Sequence, residues 1–317
     1  MAHAKAMSGV LPSPASSIAP KVDALFYAVT GVTVGVAVAI FAVIAIFAIR
    51  YRAGANRAAA PEVAPATRTA LEIAWTVVPL ALFLGAFAWA ASLYLERAQP
   101  PAGATDLFIV AKQWMWTAQH GTGQREIDEL HVPAGQPLRL VMTSQDAIHS
   151  FFVPAFRVKQ DVLPGRYTEL WFTPTVAGRF HLFCAEYCGT DHARMGGDIV
   201  VLSPAEFARW LATGAPRAGM VARGEALFRA HGCSGCHGAQ ATVHAPDLAG
   251  LYGRPVPLAD GTLVVADERY LRDAILLPQR EIAAGYPPIM PSYAGRIDDE
   301  DLFDLIAYLR SLGGAPR

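Results

Sequence analysis

Two long uncharged stretches near the N-terminus constrain this chain more than anything else in it. From Ala24 to Ile49 there is no charged residue. As an α-helix this run would be about 39 Å long, more than the roughly 30 Å hydrocarbon core of a bilayer. It is also too long for the apolar part of a signal peptide. A second uncharged run extends from Ile73 to Leu95 and contains Pro79. That proline should kink the helix, which neighbouring helices tolerate in a membrane. Arg50, Arg52, Arg57 and Arg68 cluster between the runs, so the positive-inside rule puts this connection in the cytoplasm. Both ends of the hairpin then lie outside. The first 20 residues, small and rich in Pro and Ser, read as a disordered tail ahead of the spans.

The composition agrees. Hydrophobic residues make up 53% of the 317 and charged residues only 17%, which fits membrane content. A net charge of -1 removes any basic stripe for nucleic acid. After a linker at Pro100–Ala104 the pattern changes to short apolar or alternating runs, such as 107–110, 138–143, 169–172 and 179–183. Turn residues such as Pro164-Gly165 and Ala177-Gly178 separate them. This predicts an antiparallel sandwich or barrel over 105–202. Ser203-Pro204-Ala205-Glu206 opens a short helix with serine at the N-cap, and a link follows to residue 218. From 219 to 317 the periodicity is helical, ending in an amphipathic helix over 298–312. The expected division is a tail at 1–20, two spans within 21–98 (about 24–49 and 73–95), the β-domain, the helix and link at 203–218, and the helical domain.

The four cysteines fall into two motifs. Cys184, Cys188, His192 and Met195 read C-x-x-x-C-x-x-x-H-x-x-M. Thiolate, thioether and imidazole together select copper among first-row metals. Two thiolates exceed the need of one blue-copper ion, and they can bridge two. His149, in a strand-like context upstream, can complete the set. The Glu186 carbonyl can serve as a weak ligand opposite Met195. The spacing leaves open a small disulfide, a single-copper site, and a Cys2His2 zinc site, against which the thioether argues.

Cys233-Ser234-Gly235-Cys236-His237 is the c-type haem attachment pattern. The thiols add to the haem vinyls and His237 binds iron. Met290, bracketed by Pro287, Pro288 and Pro291, is the best sixth ligand. Met220 lies too close to the link, and His244 leaves a bis-histidine haem open. A redox or zinc C-x-x-C is the alternative reading of the motif. His3, His120, His131, His181 and His231 carry no motif and read as surface or internally paired.

Residues 22–202 resemble subunit II of the haem-copper cytochrome c oxidases. The runs that carry this are Leu71-Glu72-Ile73-Ala74-Trp75-Thr76-Val77-Val78-Pro79, Lys112-Gln113-Trp114-Met115-Trp116, Asp146-Ala147-Ile148-His149-Ser150-Phe151 and the copper loop. Residues 219–313 resemble class I cytochrome c domains, with Pro246 matching the proline whose carbonyl orients the haem histidine. Together the chain resembles the cytochrome-c-fused subunit II of bacterial oxidases. The implied fold class is a multi-domain membrane protein: a two-helix transmembrane hairpin, an all-β cupredoxin domain and an all-α cytochrome c domain. The resemblance implies a dinuclear CuA centre held by His149, Cys184, Glu186, Cys188, His192 and Met195. It also implies electron input through Trp114, a magnesium ion at the subunit I boundary held through Glu186, and a proton-path role for Glu72. Met115 departs from the family, where an aromatic is common.

The expected function is electron input to a cytochrome c oxidase. The bc complex or a small cytochrome c would reduce the fused haem c. The electron would pass to CuA and then to subunit I, where oxygen is reduced to water and protons are pumped, with subunit III in the complex. Both soluble domains would face the outer side of the bacterial plasma membrane, in contact with membrane lipid. Tethering would replace diffusional encounter by a high effective concentration and lower the salt dependence of turnover. The alternatives are the CuA-bearing subunit of a nitric oxide reductase, a stand-alone tethered electron carrier, and a copper-delivery or sensing protein. A quinol oxidase subunit is disfavoured because that branch lacks the copper ligands.

Overall fold

The structure is a computed structural model that describes residues 10–53, 64–213, 219–238, 241 and 243–313. Arg57, His3, most of the link at 214–218 and the first nine residues lie outside the described residues.

The two apolar runs form helices α1 (Ala19–Arg50) and α2 (Pro65–Ala98). Both extend beyond the expected spans, because prolines at the first turn start them earlier and their flanks lack helix breakers. Both are long and apolar enough to cross a membrane, and their apolar side chains stay exposed. Lys21, near the start of α1, pairs with Glu96, near the end of α2, so the two run antiparallel. Pro79 sits inside α2. These helices form a unit of their own from Ser17 to Gln99.

The rest of the described chain forms a second unit, which includes part of the expected tail. Ala15 donates its N–H to the Ala155 carbonyl at 2.9 Å and accepts from Thr175 at 2.9 Å. The buried Ser16 hydroxyl donates to the Phe156 carbonyl at 2.7 Å. Small residues with an available backbone can fill a sheet edge, so a disordered tail does not describe residues 15 and 16.

Ten strands follow: β1 (Thr105–Lys112), β2 (Met115–His120), β3 (Arg125–Ile127), β4 (Glu129–Pro133), β5 (Leu138–Ser144), β6 (His149–Val153), β7 (Val158–Val162), β8 (Thr168–Phe172), β9 (Gly178–Cys184) and β10 (Gly196–Leu202). They form two five-stranded sheets, ordered β3-β2-β1-β5-β8 and β4-β10-β9-β6-β7. Most pairs are antiparallel, but β1 runs parallel to β5 and β4 to β10, so the sheets are mixed. In β9 the inward residues Phe180, Leu182 and Cys184 alternate with outward ones. In β1 the run Leu107 to Ala111 is buried throughout, the pattern of a strand covered on both faces.

Helix α3 (Pro204–Thr213) starts with the expected cap: Ser203 and Glu206 exchange hydrogen bonds. The helical domain contains α4 (Met220–Ala230), α5 (Ser234–His237), the short β11 (Pro255–Pro257) and β12 (Leu263–Val265), α6 (Glu268–Leu276) and α7 (Asp299–Ser311). Asp298 caps α7 by accepting from the Asp301 N–H at 2.8 Å. Helices α4 and α7 cross so closely at Gly224 that an added Cβ would lie 2.0 Å from the Asp304 carbonyl oxygen. Only glycine fits there.

Candidate metal and haem sites

Strand β9 delivers Cys184 at its C-terminal end, opposite Phe151 of β6, and β6 begins with His149. The chain then loops through Cys188. A single 3-10 turn over His192–Arg194 brings His192 and Met195 back, and the Cys184 N–H donates to the Met195 carbonyl at 3.1 Å. Gly189 makes the loop possible. Its φ is +119°, and a Cβ there would lie 3.0 Å from Gln113 Nε2 and 3.2 Å from the Trp114 ring.

The donors converge. Cys184 Sγ and Cys188 Sγ are 3.8 Å apart, far beyond the roughly 2.05 Å of a disulfide. Each thiol has its own imidazole: His149 Nδ1 is 3.9 Å from Cys184 Sγ and His192 Nδ1 is 3.5 Å from Cys188 Sγ. Met195 Sδ lies 3.7 Å from Cys188 Sγ. The Glu186 carbonyl oxygen accepts from the Cys184 thiol at 3.3 Å. Both cysteines, His149 and Met195 are buried. Burial pushes the Cys184 thiol up, but hydrogen bonds with His149, the backbone of Glu186 and Ser150, and Cys188 together outweigh this and hold it at about 6. Burial and the neighbouring Cys184 thiolate push Cys188 up instead. One thiolate therefore discourages a second until cations neutralise the pair. Two bridging sulfurs flanked by two imidazoles, a thioether and a carbonyl fit a copper pair. A zinc site would leave the buried Met195 sulfur without a role.

The surrounding residues orient these ligands. Asp146 Oδ1 lies 2.9 Å from His149 Nε2, and Asp146 Oδ2 accepts the Gln113 N–H at 2.7 Å. This holds the imidazole with Nδ1 toward the sulfurs. Gln113 Nε2 and Trp114 Nε1 both donate to the Cys188 carbonyl, at 2.7 and 3.2 Å. Trp114 is half-buried beside the loop, whereas Trp116 is core, edge-on to His149 at 6.1 Å. Asp146 and Gln113 were not singled out as site residues. The three-residue spacing of Asp146 to His149 was a usable signal; Gln113 offered none. Glu186 and Tyr187 expose their side chains on the loop. Glu72 lies on α2, away from either donor set in sequence, and pairs with Arg68 at 3.2 Å.

The second site is a cavity of about 560 Å³ lined by Cys233, Cys236, His237, Pro246, Met290 and apolar residues of α6 and α7. That volume lies in the range of small-molecule and cofactor pockets. The His237 ring donates from Nδ1 to the Pro246 carbonyl at 3.0 Å, which leaves Nε2 as the coordinating atom. The loop carrying Met290 is held by Gln279 Nε2 donating to the Pro288 carbonyl at 3.0 Å and the Tyr293 hydroxyl donating to the His231 carbonyl at 3.1 Å. His244 also lines the cavity, but stacks on Tyr286 at 4.8 Å. The pocket suits a haem fixed by two thioethers.

Among the histidines without a motif, His120 and His131 pair with the two oxygens of Glu126 at 2.8 and 2.5 Å. Trp210 of α3 covers both rings.

A membrane-anchored chain with a two-thiolate copper loop on a β-sandwich and a c-type haem pocket defines a class: an electron-transfer subunit of a respiratory membrane complex. Residues 104–203 match the family described as cytochrome c oxidase subunit II, periplasmic domain, and residues 221–313 match cytochrome c. Subunit 2 of the cytochrome c oxidase of Alkalihalophilus pseudofirmus is 29% identical over 298 residues, covering 87% of this chain and 83% of that one. The alternative cytochrome c oxidase subunit 2 of Bradyrhizobium diazoefficiens is 31% identical over 166 residues, covering 43% and 60%. The solved periplasmic domain of subunit II of Bradyrhizobium japonicum is 32% identical and covers 36% of this chain and 96% of its own, with a TM-score of 0.35. The chain therefore carries a cytochrome c oxidase subunit II periplasmic domain followed by a C-terminal cytochrome c domain.

Proposed function

We propose that this chain is the electron-input subunit of a cytochrome c oxidase. When bound, the haem and the copper pair would supply reversible one-electron chemistry, and the chain would take electrons from an external cytochrome c or bc complex and deliver them to subunit I for oxygen reduction and proton pumping. The observation that carries the reading is the convergence of Cys184, Cys188, His149, His192 and Met195 within van der Waals range of one another's donor atoms. Cys184 and Cys188, 3.8 Å apart, would hold the copper pair and share the charge of a one-electron change between them. Buried walls keep water out of that change. Asp146 holds His149 in one tautomer. Trp114 connects the exposed edge of the loop to the Cys188 backbone through one hydrogen bond, which suits an electron-input role.

His237 and Met290 would hold the haem iron, with the Pro246 carbonyl orienting the imidazole. The Glu186 carboxylate, exposed on the copper loop, would help bind magnesium against subunit I, as the family resemblance implies. Glu72 serves near the start of a proton path at the cytoplasmic end of α2. Arg50, Arg52 and Arg68 favour the cytoplasm, which directs both soluble domains to the outer face, with subunits I and III as neighbours in the lipid.

Metal analysis of the complex purified in mild detergent tests the reading. About two coppers and one covalent haem on this chain, with a partner holding two further haems and a third copper, agree with it. Non-haem iron in place of that third copper would move the chain to nitric oxide reduction. Zinc on this chain would refute the copper centre.

A further inference from the structure

The haem pocket and the copper loop belong to domains that share a buried face, and this face uses residues neither site needs. Phe108 and Val110 of β1 and Val141 of β5 form one apolar cluster with Met220 of α4 and Phe303 of α7. The Phe108 and Phe303 rings lie 4.8 Å apart. Tyr167, from the β7–β8 connection, stacks on Phe303 at 5.0 Å and 22°. This second cover explains why β1 is apolar without alternation: Leu107 and Ile109 lie on one face of the strand, and Phe108 and Val110 on the face that meets α7.

A carboxylate sits beside that cluster. Asp304 is fully buried. It accepts from Arg223 Nε and Nη2 of its own domain at 2.6 and 2.8 Å. From the β-domain it accepts from Gln119 Nε2 at 2.6 Å and Arg125 Nη2 at 3.4 Å. Further ion pairs cross the junction, among them Arg139 to Glu268 at 2.9 Å and Arg310 to Asp106 at 2.9 Å. Gln145 Nε2 donates to Glu300 at 3.1 Å, one residue before the aspartate that orients His149.

A haem carried on a swinging tether needs no such face. Separating the domains would expose Phe108, Val141, Met220 and Phe303 to water and strip Asp304 of its donors Gln119 and Arg125, leaving it Arg223 alone. Motion between domains is the default only where their interface is small or polar. We propose that the cytochrome c domain is a fixed relay, locked onto the cupredoxin domain by Phe303 and Asp304 as positioning residues, and that it stays docked through turnover. This rests on the electron-input reading for its purpose, but the docking stands on the contacts alone. It replaces the effective-concentration account of the fusion: the two sites keep one geometry, and salt acts only on the arrival of the external donor.

Hydroxyl-radical footprinting of the holo complex, resting and during turnover, tests this through Met220 and Phe303. The proposal expects both to stay protected in each state. It also expects Phe108→Glu with Gln119→Ala to lose that protection while the haem and copper spectra, which report folding of each domain, stay unchanged. In that variant haem-to-copper transfer slows and becomes dependent on glycerol viscosity; in the wild type it does not. Labelling of Met220 in the wild type during turnover, or a wild-type rate that falls with viscosity, overturns the fixed relay. If the variant disturbs either spectrum, the wild-type footprint and viscosity series decide alone. Protected Met220 with no electron passing from haem to copper would retain the docking and refute the electron-input reading.

Discussion

The indole N–H of Trp114 donates to the backbone carbonyl of Cys188 at 3.2 Å. Two residues on, Trp116 turns the other way and packs edge-on to His149 and Phe151. The two tryptophans thus serve different parts of the site, Trp114 bonding the copper loop and Trp116 packing on the β6 strand that carries His149. Removing Trp114 should leave the ligands in place but remove the aromatic at the exposed edge. We expect Trp114→Leu to slow electron input into copper while copper content and the copper spectrum persist. A loss of copper would instead make Trp114 a structural residue.

Asp146 holds His149 Nε2 at 2.9 Å. Replacing such an orienting partner typically lowers metal affinity by about 10–100-fold. Competition of Asp146→Ala with a copper chelator should show a loss in that range, with haem attachment unchanged. Affinity equal to wild type would mean that β6 packing alone fixes the ring.

Met195 is buried with its sulfur 3.7 Å from Cys188 Sγ. Leucine conserves its volume, so Met195→Leu should cost less than about 1.5 kcal/mol of stability. Its effect should appear in the copper optical and electron paramagnetic resonance spectra. The mirror experiment is Met290→Ala, which should abolish the far-red sulfur-to-iron band of the haem and leave the thioether bonds intact.

Glu126 links His120 and His131 under Trp210. Burial pushes its carboxyl up, but hydrogen bonds from His120 and His131 outweigh this and hold it below the ordinary 4.5. A depressed carboxyl stabilises the fold at neutral pH, and that contribution is lost as pH falls below 4.5 through the folded-state value. Glu126→Gln should cost about 1–3 kcal/mol at pH 7, the penalty for leaving buried partners unsatisfied. Its difference from wild type should shrink in acid. Denaturant unfolding at both pH values, followed by tryptophan fluorescence, measures this.

Much of the architecture was legible because its causes are local. The uncharged runs fix α1 and α2, the Ser203/Glu206 cap fixes α3, and the alternation Phe180, Leu182, Cys184 fixes the face of β9. The candidate copper- and haem-binding residues stand out in the sequence because ligand chemistry demands particular atoms at close spacing. What escaped depends on partners distant in sequence. Gln113 and Asp146 act across a 33-residue separation. Asp304 looks like an ordinary helix carboxylate until Gln119, 185 residues away, is brought against it. The unbroken apolar run of β1 carried the one sequence hint of that second buried face. Residues 15 and 16 read as tail because an added edge bridge uses backbone groups, which every sequence possesses.

Electrons that enter at the haem should leave through the copper pair. Injecting one electron into the haem of the purified complex with a surface photoreductant, while following the haem and copper bands together, tests it directly. Haem reoxidation and copper reduction should share one time constant, before any haem of the partner subunit responds. Haem reoxidation with the copper band unmoved would contradict it.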